Sequence, residues 1–292
     1  PKGFLINYYD QQLLRDFLIC LRRYYKKRNF VFIKFNPEII IGETSKDRNF
    51  QMNYNGNVRL IDELKAINVK RRLELQEFDL MQPRFNAYIN LNNYSLSKLN
   101  RNYRKKIKHG INKGLSLCLG GPKDIDILYG FIKDNTKRPI SYYRNIYNVF
   151  NRDNSIDLVM VKVDYQKYLE NVRDMYEKEQ INNDKWNMII QTDPRRKNLN
   201  AKMDSDKKLQ GYKEEIIKAT QGLKRNKIEY IAAALVIKHF NRVSIFMSGF
   251  SKEHAHLNPN HFLYYSILER YKPYFNFCDM NGVSGNFTNT SA

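Results

Sequence analysis

Apolar residues recur at alternating spacings of three and four between residues 165 and 227. This pattern predicts two helices that pack against each other along a narrow apolar seam. The seam residues are Leu169, Val172, Tyr176, Trp186 and Ile190 on the first helix, and Leu209, Tyr212, Ile216, Ala219 and Leu223 on the second. Glu179 and Asn183 interrupt the seam, and Asp193-Pro194 ends the first helix because proline lacks a backbone donor. A narrow seam buries little, so we expect the helical hairpin at 165–227 to project as an arm.

The segments on either side of the arm predict β-strands. One strand is expected at 155–163, before the arm, and two more at 228–237 and 243–247, after it, with a turn at Asn241-Arg242. The sequence therefore predicts an unusual arrangement, in which a helical hairpin is inserted between adjacent strands of one sheet.

The remaining pattern alternates helices and strands, which indicates a mixed α/β (α+β) fold. Helices are predicted to begin at Asp10, Val58, Ser95 or Ser97, Asp124, Tyr142 and Asn260. Strands are predicted at 29–35, 86–91, 115–119 and 274–280.

The formal net charge of the 292-residue chain is +20. This charge favours a polyanionic partner, such as nucleic acid, anionic lipid or a phosphorylated precursor, although the abundance of Lys, Asn, Ile and Tyr is also typical of an AT-rich genome. The far end of the arm is basic, with Arg195, Arg196, Lys197, Lys202, Lys207 and Lys208. We interpret these side chains as contacts to RNA phosphates. The alternative is a solvated helical arm that braces a neighbouring subunit.

Cysteine and histidine usage gives little sign of a metal site. Three cysteines are too few for a disulfide framework, and none is spaced for metal binding. The pattern His254-x-His256 with His261 is a weak metal-site alternative that has no clear carboxylate partner. We assign no metal and no cofactor. No apolar run reaches membrane-spanning length and no signal peptide is evident, so a cytoplasmic protein is predicted.

Several local motifs occur in an order that resembles the FemABX (Fem) family of peptidoglycan-bridge aminoacyltransferases. They are residues 3–10 with the helix that follows, the strand ending at Asn36-Pro37, Gln82-Pro83-Arg84 before a strand, the basic helix 101–114, Lys137-Arg138-Pro139-Ile140-Ser141-Tyr142, and residues 279–287. Each motif alone is weak, but the ordered set covers essentially the whole chain. The position of the arm is similar to that in arm-containing members of the family.

The resemblance implies tandem domains of the GNAT (N-acetyltransferase) fold. The first would span 1–94 and be N-terminally incomplete, and the second would span 95–292, interrupted by the arm at 165–227. The implied activity moves an amino acid from aminoacyl-tRNA onto the peptide of a lipid-linked or nucleotide-linked muramyl-peptide precursor. Peripheral contact with the inner membrane face and the oligomeric state stay open. Two alternatives are a non-catalytic tRNA/RNA-binding or scaffold protein and a transferase acting on protein N-termini.

The resemblance also assigns substrate-binding residues. Arg138 and Tyr142 match positions that contact the precursor, and a guanidinium suits that role because it binds phosphate or carboxylate bidentately. The alternative for Arg138 is a plain helix-end arginine. Asn36 stands where a relative carries an aspartate, so it is assigned only a polar contact, and Met247 stands where an aromatic contact is expected. No catalytic residue is assigned, and because a lysine-bearing family segment lies outside residues 1–292, the chain is interpreted as either a fragment or inactive.

Overall fold

The structure is a computed structural model and describes residues 3–43, 53–70 and 85–283. The chain forms two compact units, one reaching to Phe85 and the other spanning Asn86–Gly282. The sequence predicts a boundary at residues 94–95. The assignment of two acetyltransferase-like domains stays a prediction.

The first unit contains two helices and a small pair of strands. They are α1 (Gln11–Lys26), β1 (Gly42–Glu43), β2 (Asn53–Tyr54) and α2 (Arg59–Ala66). Asp10 caps α1, because its side chain accepts a hydrogen bond from the Leu13 amide at 3.0 Å, and this confirms the predicted helix start. The Arg22 guanidinium donates to the carbonyls of Ile67 and Asn68 at 2.7 and 3.1 Å, which ties α1 to the chain that follows α2.

The strand predicted at 29–35 is wrong. No regular strand forms there, and Phe30, Val31 and Phe32 are 59%, 95% and 78% exposed. A strand needs a neighbour that pairs with its backbone groups. Among the described residues of this unit, only β1 and β2 pair as strands. The apolar run therefore has strand-like composition without a strand partner.

The second unit is built on a six-stranded sheet in the order β3-β8-β7-β6-β5-β4. Its strands are β3 (Phe85–Asn90), β4 (Leu115–Gly120), β5 (Ile156–Asp164), β6 (Ile228–His239), β7 (Arg242–Phe250) and β8 (Phe277–Val283). Strands β4 to β7 are antiparallel neighbours, whereas β7 and β8 are parallel. The predicted mixed α/β fold is confirmed.

Six helices accompany this sheet, and the start of α3 differs most from the prediction. They are α3 (Arg101–Asn112), α4 (Ile125–Ile132), α5 (Ile140–Asn151), α6 (Tyr165–Thr192), α7 (Arg196–Arg225) and α8 (Pro259–Tyr271). Asn100 caps α3, instead of Ser95 or Ser97, because its side chain accepts from the Asn102 amide at 2.9 Å. Helix α4 ends at Ile132, before a short 3₁₀ turn at Lys133–Asn135.

The core lies on both faces of the sheet, and successive residues of β5 point to opposite faces. Leu158 and Met160 pack in a cluster with buried residues of α4 and α5. Val159 and Val161 pack in a second cluster with α8 and with the parts of α6 and α7 nearest the sheet. This two-residue alternation is what a strand buried on both faces requires.

Helices α6 and α7 occupy the segment between β5 and β6. They run in opposite directions, because Tyr165 at the start of α6 lies against Gly222 near the end of α7, while Asn183 bonds Ser205 farther out. Asp164 and Ile228, which flank the two helices, are direct partners in the β5–β6 ladder. The arm therefore leaves and re-enters the sheet at neighbouring positions.

Candidate substrate and RNA-binding surfaces

The parallel pairing of β7 with β8 is short. The described ladder joins Arg242–Ser244 to Phe277–Asp279, although β7 continues to Phe250 and β8 to Val283. Beyond the ladder, Asn281 adopts a left-handed backbone (φ 68°) and its side-chain amide donates to the Ile245 carbonyl. We call this place the β7–β8 opening. Backbone groups released from a ladder are available to hold a ligand, and both strands present their carboxyl ends here.

A second irregularity lies at the same place. On the other edge of β7, Leu235 pairs with Met247 and Val236 with Ile245, so Phe246 is the extra residue of a β-bulge. Bulges bend a strand and re-aim side chains, and they are frequent beside active sites. The bulge and the ladder end thus adjoin each other on one strand.

Arg138 and Tyr142 form a small aromatic-supported unit at the start of α5. The Arg138 guanidinium carbon lies 5.0 Å from the centre of the Tyr142 ring, within the range of a cation–π contact. The Tyr142 ring meets that of buried Tyr143 edge-on at 5.3 Å, and Thr136 holds the Tyr143 hydroxyl at 2.7 Å. Arg138 is exposed, and no acidic side chain in the described part of the chain pairs with it. The N–H donors of the Arg138 guanidinium therefore face solvent, while the Tyr142 ring supports the side chain.

This unit follows the helix that packs on the carboxyl half of β7. A Cβ placed on Gly249 of β7 would lie only 2.7 Å from Ile132 at the end of α4, so the two backbones approach closely. Arg138 follows Ile132 by six residues.

Asn36 lies in the first unit, in an irregular segment, and is exposed. Its role in substrate binding stays a prediction.

The structure divides the six predicted RNA-binding cations of the arm into two groups. Arg195 forms a bidentate pair with Asp193 at 2.5–2.9 Å. Lys202, whose side chain is only 16% exposed, pairs with Asp206 at 2.5 Å, and Lys208 lies 3.5 Å from Glu179. In contrast, the exposed cations Arg196, Lys197 and Lys207 have no acidic partner among the described residues.

A polar layer crosses the arm where the apolar seam is interrupted. Asn183, 7% exposed, donates to Ser205 Oγ at 3.1 Å and to Asp206 Oδ1 at 2.8 Å, and Ser205 donates to Glu179 at 2.7 Å. Burial alone would raise the pKa of Glu179, but hydrogen bonds from Ser205 and Asn182 and the charge of Lys208 outweigh it, so the pKa lies below its usual value. A buried polar pair of this kind fixes the register of two helices.

A buried network at the base of the arm was missed by the sequence analysis. The Tyr165 hydroxyl donates to Glu229 Oε2 at 3.0 Å and lies 3.0 Å from Nε2 of His254, whose Nδ1 contacts Ser251 Oγ at 2.9 Å. Burial, followed by the charge of Glu229, strongly raises the pKa of Tyr165. The tyrosine is therefore neutral, and it joins α6 to β6 and to the loop after β7.

A second buried contact links α3 to the arm. Lys113, 3% exposed, pairs with Glu215 of α7 and lies 5.3 Å from the centre of the Tyr168 ring. Burial, with a smaller contribution from Lys218, lowers the pKa of Lys113 to about 8. Burial and Lys113 lower the pKa of His109 to about 4, so its imidazole is neutral near pH 7. Nothing in the sequence pattern pairs Lys113 with a residue of the arm.

Two of the three histidines considered for a metal are neighbours, since the rings of His254 and His256 stack with their centres 6.4 Å apart. His254 also belongs to the Tyr165 network, and His256 Nδ1 lies 3.3 Å from the Glu253 carbonyl. The His261 ring lies 5.5 Å from that of Tyr103, at a tilted angle. The residues that the structure describes contain no group of three potential metal-ligating side chains.

Two further features bear on the chemistry of the described part. Cys278, beside the β7–β8 opening, is fully buried, and burial raises its pKa to about 12, which favours the thiol over a nucleophilic thiolate. In the same described ranges, no helix has the length and apolar character needed to cross a membrane.

Comparison with known proteins places the chain in a family. The FemAB family model matches residues 1–292. Lipid II:glycine glycyltransferases of Staphylococcus aureus, among them those of strains MSSA476 and MRSA252, are each 21% identical over 282 residues. The match covers 92% of this chain and 64% of each relative, so the chain spans less than two thirds of their length.

The structure is also similar to a solved structure. The crystal structure of FemX matches with a TM-score of 0.67 and 18% identity, over 99% of this chain and 73% of that chain. At this identity the likeness concerns the fold. Because the family model extends over the entire sequence, the chain belongs to the FemAB family.

Proposed function

We propose that this protein is an aminoacyltransferase that moves an amino acid from aminoacyl-tRNA onto the peptide of a muramyl-peptide cell-wall precursor, as a step in building an interpeptide bridge. The observation that carries the proposal is the family match over residues 1–292. The similarity to proteins named Lipid II:glycine glycyltransferase supports a lipid-linked acceptor and glycine as the first amino acid to test.

The reaction needs little from side chains. The acceptor amine attacks the ester carbonyl of the aminoacyl-tRNA, a C–N bond forms, the ester C–O bond breaks, and the proton lost by the amine ends on the tRNA hydroxyl. Because the ester is already activated, alignment of the reactants accounts for much of the rate, in favourable cases on the order of 7–11 kcal/mol. The main-chain amides of β7 beyond its ladder with β8 are candidate donors to the transient oxyanion. No side chain is assigned as the base.

Arg138 supports the acceptor side of this proposal. Its guanidinium is exposed, is supported by the Tyr142 ring and has donors available for a carboxylate or phosphate of the precursor. Arg138→Ala should raise the KM for the precursor about tenfold or more while changing kcat less, because the lost contact is a charged hydrogen bond.

Arg144→Ala is the matched control for that experiment. Arg144 lies on α5, the helix that begins two residues after Arg138, is also exposed and pairs with Asp126 at 2.6 Å. An exposed pair of this kind contributes little to stability, so the Arg144→Ala protein should keep its fold. Its KM for the precursor should therefore stay near that of the unchanged protein. A KM for the precursor that is the same in Arg138→Ala and Arg144→Ala removes Arg138 from the site.

The donor side of the proposal depends on the exposed cations of α7. Replacing Arg196, Lys197 and Lys207 with Gln should weaken tRNA binding and reduce the slope of log affinity against log salt by about 2–3, since each phosphate contact contributes about 0.7–0.9. The control replaces Lys167, Lys178 and Lys185 of α6, which removes the same charge from the other helix. Equal losses in the two variants would mean that the effect is one of net charge and that α7 has no specific role.

A transfer assay decides between the two classes of function. The purified protein is given tRNA charged with labelled glycine and the lipid-linked precursor, and the label on the precursor is measured. Label transfer supports the enzyme. Tight binding of tRNA without transfer from any charged tRNA favours instead the non-catalytic RNA-binding protein that the basic arm also suits.

A further inference from the structure

Helix α3 carries a concentrated positive surface that the proposed reaction does not use. Arg101, Arg104, Lys105 and Lys108 are spaced i, i+3, i+4 and i+7, so they share one side of the helix, and all four are exposed. We call this surface the α3 basic face. Lys106 lies off it, with Nζ 3.5 Å from His261 Nε2.

The α3 basic face is electrostatically unfavourable within the protein. Its four cations form like-charged neighbours at i, i+3 and i, i+4, and such pairs destabilise a helix. The first turn has no acidic residue, and Arg101 and Arg104 lie near the positive end of the helix dipole. In the described part of the chain no acidic side chain pairs with any of the four. An external polyanion that covers the face would relieve this repulsion.

The surroundings of the face favour a lipid surface. Ile111, 45% exposed, follows Lys108 by three residues and Arg104 by seven, so an apolar side chain continues the same side of the helix. RNA phosphates offer nothing to this side chain, whereas the boundary between headgroups and acyl chains accepts it. Basic helices of this kind are attracted to anionic leaflets.

We propose that the α3 basic face docks the protein on an anionic membrane surface. The inference rests on the proposed function, because a lipid-linked acceptor is presented at a membrane. Docking through α3 leaves the cations of α7 for the donor RNA. The face then determines access to membrane-embedded acceptors without touching the reacting atoms.

The test compares two variants that lose the same charge. One replaces Arg101, Arg104, Lys105 and Lys108 with Gln, and the other replaces Arg196, Lys197, Lys207 and Lys213 of α7. Sedimentation with phosphatidylglycerol-containing and with pure phosphatidylcholine vesicles measures membrane binding. A cation near an anionic surface contributes about fivefold in partitioning, so the α3 variant should bind the anionic vesicles at least tenfold more weakly. The α7 variant should keep its vesicle binding.

Several results would overturn the proposal. They are a wild-type protein that does not bind anionic vesicles, an α3 variant that still binds them, or equal losses in both variants. An α3 variant that loses tRNA affinity but keeps vesicle affinity would show that the face belongs to RNA.

Activity on two acceptors separates this inference from the proposed function. With a nucleotide-linked acceptor in solution, the α3 variant should transfer the amino acid at the wild-type rate. With the acceptor embedded in anionic vesicles, its rate should fall with its vesicle binding. If the wild-type protein transfers to neither acceptor, the proposed function fails, and the vesicle experiment still decides the docking surface.

Discussion

Replacing Gly222 with alanine should destabilise the base of the arm. A Cβ at this position would lie 2.6 Å from Tyr165 Cζ and nearer still to two other atoms of the ring. The ring cannot move away easily, because Tyr165 is 4% exposed and its hydroxyl is held by Glu229 and His254. Overpacking of this kind costs about 1–3 kcal/mol. The preference of a helix for alanine over glycine offsets about 0.5–1 kcal/mol of that cost.

Gly211→Ala is the control, because Gly211 lies on the same helix and a Cβ there would meet no atom within 4 Å. That variant should gain about 0.5–1 kcal/mol, so the two alanines should have opposite signs and differ by roughly 2 kcal/mol. The assay is urea unfolding followed by the fluorescence of Trp186, the chain's one tryptophan, which lies on α6. If Gly222→Ala is as stabilising as Gly211→Ala, the described packing of Tyr165 against α7 is refuted.

Three further changes test other parts of the second unit. Burial lowers the pKa of His109 in the folded protein to about 4, so between pH 6.5 and 4 only the unfolded state gains a proton at this residue and the protein loses stability. His109→Gln should reduce that loss by about 1–2 kcal/mol in urea unfolding measured across this pH range, a value discounted for the partial exposure of the side chain. An unchanged pH profile would exclude this role. Asn183→Ala should cost about 1–2 kcal/mol in the same assay at pH 7.5, since it removes two hydrogen bonds from the buried layer of the arm, and a neutral result would mean that water replaces them. Neutralising the α3 basic face should raise the free energy of unfolding by about 1–2 kcal/mol without vesicles, from about 0.2–0.5 kcal/mol for each like-charged pair, and a loss of stability would contradict the repulsion.

Several strands and helices of the second unit could be predicted from the sequence, because their apolar patterns are local and repeated. The strands on either side of the arm and the helical periodicity within it depend on neighbouring positions. The run at 29–35 shows the limit, since its apolar residues resemble a strand but the described unit supplies no partner. Strand formation depends on a second segment, which composition does not reveal.

The candidate surfaces likewise combine features that local sequence patterns encode with features that depend on distant partners. Grouping six arm cations by sequence ignored their partners, although the spacing of Lys202 and Asp206 at i, i+4 already suggests a pair. The contacts of Tyr165 with Glu229 and His254 join residues that are 64 and 89 positions apart, and no periodicity encodes them. The β7–β8 opening depends on where a ladder stops, which is a property of register.

The direct pairing of Asp164 with Ile228 has a consequence for folding kinetics. Two strands that meet across a long intervening segment normally incur a large loop-closure entropy before their contacts form. Helices α6 and α7 reduce this entropic cost, because their pairing, starting from the turn at 193–195, brings the ends of β5 and β6 side by side. We therefore expect the helical hairpin to form before β5 and β6 pair, and substitutions along its apolar seam to slow refolding more than they speed unfolding.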